Sequence, residues 1–94
     1  MKVDDAFFDR ADEHIHLSNK QVSESINPGK VSASMMYATT RYNAYVSAIG
    51  FNSQEEMESK KEELLEYFLE QFRIMLEENL EDYIQNFKSY MGKD

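Results

Sequence analysis

Glu13 and His16 stand three residues apart in F-F-D-R-A-D-E-H-I-H, with Asp9 and Asp12 one turn earlier. On a helix, a carboxylate and an imidazole at that spacing share a face. That is the half-site geometry of carboxylate-bridged two-metal centres. A second copy of the chain would supply the other half. The competing reading is a set of solvated polar groups, and it is the favoured one. Phe8, Ala11, Ile15, Ser18 and Val22 recur at steps of three and four and turn the core face elsewhere. His14 and His16 are two apart and point to different sides, so they form no helical metal pair; His14 reads as a partly buried packing residue.

Other constellations carry less. Asn27-Pro28-Gly29-Lys30-Val31-Ser32 has a faint flavour of a phosphate loop but lacks the preceding strand, the first glycine and the Gly-Lys-Ser/Thr spacing. A turn accounts for every residue in it. Tyr37, Arg41 and Tyr45 follow at i,i+4, so Arg41 can lie between two rings and reach a carboxylate of another helix. The bland reading, a structural ion pair, outweighs an anion or peptide contact there. Glu58, Glu62, Glu66 and Glu70 form a like-charge stripe, which usually marks a solvated face and less often a docking strip for a basic partner. No cysteine, no ordered serine–histidine–acid set and no glycine-rich cradle points to an enzyme, and no cofactor is expected.

The elements that must position these groups are helical. The chain has 94 residues, enough for one small domain that needs good packing or self-association to be stable. With no cysteine, disulfides and thiolate metal sites are excluded, and a reducing, cytoplasmic setting is expected. The net charge of −8 repels phosphate backbones and anionic lipid surfaces, so neither nucleic acid nor membrane is an expected partner. No apolar run approaches the roughly 20 residues of a membrane span.

Three helices are expected, at about residues 4–24, 32–49 and 54–91. Asp4 and Asp5 can cap the first. The Asn27-Pro28-Gly29 turn makes the first two antiparallel neighbours. Val31, Met35, Ala38, Tyr42, Tyr45 and Ile49 form the face of the second, with a weaker stripe at Met36, Thr39, Asn43 and Val46, and Gly50 stops it. Ser53 and Glu56 make a capping box for the third. Its face is Leu65, Leu69, Phe72, Leu76, Leu80, Tyr83, Phe87 and Met91, with Gly92 as its end. Those steps are closer to an eleven-residue repeat than to strict heptads. Unbroken, this helix would run on the order of 55–60 Å, against roughly 30–35 Å for a compact chain of this size. Either its overhang packs on a second chain, or it is kinked or broken, with Asn79 as the best break point. The expected fold is therefore all-α: a helical hairpin packed against a long C-terminal helix, in a homodimer.

The segments Phe7–Ile15 (F-F-D-R-A-D-E-H-I) and Gly29–Val46 (G-K-V-S-A-S-M-M-Y-A-T-T-R-Y-N-A-Y-V) resemble an uncharacterised proteobacterial domain-of-unknown-function family of small proteins. The resemblance covers roughly the first half of the chain. It implies a bacterial cytoplasmic protein and supplies no activity, ligand or catalytic residue. It draws attention to Asp9, Arg10, Asp12, Lys30, Arg41 and Asn43, the polar members of the matching segments, read as a cluster joining the first two helices. The function expected is a non-enzymatic interaction or regulatory module that self-associates through its long helix and binds a protein partner. The alternative is a metal- or small-ligand-binding bundle using Glu13 and His16; an enzyme subunit that needs a partner ranks third.

Overall fold

The computed structural model describes residues 2–93, and every regular element among them is an α-helix. In chain order these are α1 (Phe7–Gln21), α2 (Pro28–Ile49), α3 (Gln54–Ser59), α4 (Lys61–Gln85) and α5 (Phe87–Met91). The all-α class is as expected. The contacts divide the chain into two units, one up to Tyr45 and one from Val46 on.

In the first unit, α1 starts at Phe7 and not at Asp4. The Asp4 carboxylate accepts the Ala6 amide at 3.1 Å, and the Asp4 carbonyl accepts the Phe7 amide at 3.1 Å. That local turn holds Asp4 just outside the helix it introduces. The far end stops at Gln21 rather than 24, because Val22 is extended and Ser23 and Ile26 exchange two backbone hydrogen bonds. The second helix begins at Pro28, four residues before the expected Ser32. Proline has no amide hydrogen to lose, so it suits a first helical position, and it fixes φ for the turn that follows. Asn27 completes the start: its Oδ1 accepts the Lys30 amide at 2.9 Å.

Val31, 5% exposed, is the one buried side chain among the described residues. Ile15 and Ser18 of α1, and Val22 just past its end, face Pro28, Val31 and Met35 across a shallow apolar cleft beside the turn. Ser18 Oγ donates to the Met35 sulfur at 3.0 Å there. The antiparallel pairing is made at this end, while Phe8 and Tyr42, further from the turn, stay open to solvent at 63% and 66% exposure.

In the second unit, Gly50 follows the last residue of α2, with its amide bonded to the Ser47 carbonyl at 3.1 Å. Ser53 Oγ accepts the Glu56 amide at 3.1 Å and starts α3, as the capping box requires. The single helix expected over 54–91 is in fact three. The breaks fall at Lys60 (φ −107°, ψ 4°) and Asn86 (φ −113°, ψ 23°), and the chain runs helically through Asn79. Each break has a local cause. The Lys60 amide leaves the α pattern for the Met57 carbonyl at 3.0 Å. Asn86 Nδ2 donates to both the carbonyl and the carboxylate of Asp82, at 2.9 and 3.0 Å. Asn79 Nδ2 also bonds the carbonyl one turn back, that of Met75 at 2.9 Å, without a break, so the added contact with the Asp82 carboxylate is what distinguishes Asn86. Gly92, at φ 67°, adopts the left-handed conformation that closes α5.

Candidate functional site

Residues 61–85 form a helix of about 37 Å at 1.5 Å per residue. Two stripes of its apolar residues differ in burial, while Tyr67 and Ile84, outside both, are exposed at 58% and 67%. Leu64, Phe68 and Ile74, with Gln71 between them, are partly buried. The stripe beside them, the regular face read from the sequence, is open: Leu65 is 46% exposed, Leu69 66%, Phe72 49%, Leu76 44%, Leu80 53% and Tyr83 52%. At roughly 80 Å² for each half-exposed side chain of this size, the stripe presents on the order of 500 Å² of apolar surface. That is near the top of what a typical monomer shows in one patch. Phe87 and Met91 continue it on α5 at 39% and 49% exposure.

Polar groups border the stripe. Arg73 joins Glu70 through two bonds, at 2.7 and 3.1 Å, and also reaches Glu77. The guanidinium holds the Glu70 carboxyl below the usual carboxylate range, and the two glutamates raise Arg73. Glu58, Glu62 and Glu66 are exposed, so the acidic stripe is a wet face that Arg73 tethers at one end. At the C-terminal end Tyr90 Oη donates to both Asp82 oxygens at 3.1 and 3.2 Å, and its ring meets Tyr83 edge-on with centroids 4.9 Å apart. Asp82 thus ties α5 back onto α4. The hydrogen bond to its carboxylate pushes the Tyr90 phenol up from its ordinary pKa.

Of the residues singled out for chemistry, Arg10 is engaged outside the expected set. Arg10 donates to both Asp4 oxygens, at 3.0 and 2.8 Å, within the first unit's own N-terminal turn. That ion pair holds Asp4 below the usual carboxylate range and raises Arg10. Asp4 is thus the partner that sequence reasoning missed; the only signal for it was a carboxylate six residues before an arginine at a helix start. Asp9 and Asp12 are exposed on α1, and Lys30 and Arg41 are exposed on α2. Among the described residues Arg41 makes no ion pair, and the Tyr45 ring lies 5.8 Å from Tyr42 rather than over the guanidinium. Asn43 is partly buried. Glu13 and His16 are both exposed, and among the described residues no three His, Cys, Asp or Glu side chains converge where they could hold a metal ion. No described helix is long and apolar enough to cross a membrane.

Comparison with solved structures places this arrangement beside the NMR structure of the protein NB7890A from Shewanella sp.. The two chains are 41% identical with a TM-score of 0.79, over 98% of this chain and 97% of that one. A comparison with curated proteins found no match. The match to a family model over residues 7–84 includes α1, α2, α3 and nearly all of α4, and so covers most of the chain. The chain belongs to the family described as protein of unknown function DUF3144, a domain-of-unknown-function family as its first half implied.

Proposed function

We propose that this chain is a non-enzymatic helical interaction module whose first partner is a second copy of itself. The open stripe on α4 carries the reading: six large apolar side chains at helical spacing, 44–66% exposed, along a helix otherwise edged by charge. Exposed apolar area on that scale is favourable to bury, at about 25 cal/mol per Å². Two copies facing each other would cover on the order of 1,000 Å², the threshold for a specific interface. The charged groups support the same reading, because Arg10, Arg73 and Tyr90 are engaged by neighbouring carboxylates rather than aimed into a cleft. A cytoplasmic setting is part of the proposal, since a chain without cysteine suits a reducing compartment.

Size-exclusion chromatography with light scattering tests the reading. Purified chain at tens of micromolar should elute with about twice the 11.1 kDa chain mass and shift toward the monomer on dilution. A mass of one chain across the whole range would overturn it.

A further inference from the structure

This inference rests on the self-association just proposed and concerns how the two copies are set against each other. Within α4, taking Asn79 in place of its neighbour Leu80 gives a line beside the open stripe that keeps strict heptad steps: Leu65, Leu69, Phe72, Leu76, Asn79, Tyr83, at intervals of four, three, four, three and four. Five of the six positions are apolar or aromatic. The sixth is a carboxamide, flanked by Phe72, Met75, Leu76, Leu80 and Tyr83 within two turns. Asn79 is exposed, and one Nδ2 hydrogen is used on the Met75 carbonyl. Its Oδ1 and second Nδ2 hydrogen have no partner among the described residues. A heptad stripe is what a second helix needs to pack knobs into holes. A lone asparagine in such a seam is tolerated only where its amide finds a mate, because a buried amide left unpaired is strongly unfavourable.

We infer that α4 pairs in parallel and in register with α4 of a second copy, with Asn79 meeting Asn79 of that copy and fixing orientation and register. The geometry selects the parallel arrangement. An antiparallel pair centred on residue 74, which sets Leu65 against Tyr83, would bury Asn79 against Leu69. An antiparallel pair centred on Asn79 would restore the amide pair but leave Leu65 and Leu69 beyond the end of the facing α4. Only the parallel, in-register pair covers the stripe from Leu65 to Tyr83 and satisfies both amides. Lys61 then stands five residues ahead of Glu66 of the other copy, the offset at which flanking charges pair across a parallel seam.

The cysteine-free chain makes the test direct. Leu65→Cys and Tyr83→Cys variants are mixed in equal amounts, equilibrated and oxidised, and the disulfides are identified by mass spectrometry. In the same series the dissociation constants of Asn79→Asp and Asn79→Leu are measured by sedimentation. The expected disulfides are 65–65 and 83–83. Asn79→Asp should weaken the dimer at least tenfold at neutral pH, by placing two carboxylates together, and recover at pH 4. Asn79→Leu should tighten association and spread it over more than one species. Mixed 65–83 disulfides would overturn the parallel register. A dimer indifferent to both Asn79 substitutions would overturn the role of Asn79. A wild-type chain that is monomeric would overturn the underlying self-association as well, which separates the two failures.

Discussion

Replacing Leu69 with alanine separates the outer face of α4 from its inner one. Leu69 lies on the open stripe with 66% of its surface exposed, so truncation removes little packing from a single chain. In a paired helix the same side chain would be buried. Fully burying a leucine is worth about 1.5–3 kcal/mol, and two-thirds of that is still available at this site. Cutting it back to alanine should therefore cost about 1.5 kcal/mol per copy. Two copies give about 3 kcal/mol per dimer, on the order of 150-fold in Kd. Ile74→Ala is the counterpart, because Ile74 is partly buried within its own chain and lies off the stripe. That change should lower stability by about 1 kcal/mol, a fall of roughly 4–8 °C in Tm for a domain of this size. Its effect on Kd should be less than tenfold. Sedimentation equilibrium gives the two Kd values, and thermal denaturation followed by circular dichroism gives Tm. If Leu69→Ala left Kd within threefold of wild type while Ile74→Ala weakened association strongly, the open stripe would not be the contact face.

Two further outcomes follow from local geometry. Asn27→Ala removes the side-chain acceptor of the Lys30 amide and should destabilise the start of α2 by about 1 kcal/mol, read as a Tm loss of several degrees with association unchanged. Tyr90 binds its proton more tightly folded than unfolded, so its contact with Asp82 adds stability below the ordinary phenol pKa and loses it as pH rises through the raised folded value. A phenolate absorbance titration should therefore show a late step that Tyr90→Phe abolishes.

The helical class, the Ser53 cap, the stops at Gly50 and Gly92 and the apolar face of α4 were legible because each rests on neighbours in the chain: a side chain reaching an amide three residues on, or a period of three and four. The breaks were harder. Asn79 is the expected break point and Asn86 an observed one, and the difference lies in what each amide meets. Asn79 reaches only the carbonyl one turn back, whereas Asn86 meets the carbonyl and carboxylate of Asp82, with Tyr90 on the far side. Asn-Pro-Gly is ambiguous between a turn and a capped helix start, and only the Asn27 side chain accepting the Lys30 amide makes Pro28 a first helical residue. The pairing of Arg10, a member of the expected polar cluster, was hidden for a related reason. Arg10 finds its carboxylate at Asp4, six residues away in sequence, and that local pair is satisfied without reaching α2.

Isotope-filtered NMR on an equal mixture of labelled and unlabelled chains tests the central claim most directly. The account predicts intermolecular cross-peaks among the methyl and ring protons of Leu65, Leu69, Phe72, Leu76 and Tyr83. Their absence at concentrations where the relaxation times already report a single slowly tumbling species, or cross-peaks confined to other faces of the molecule, would contradict it.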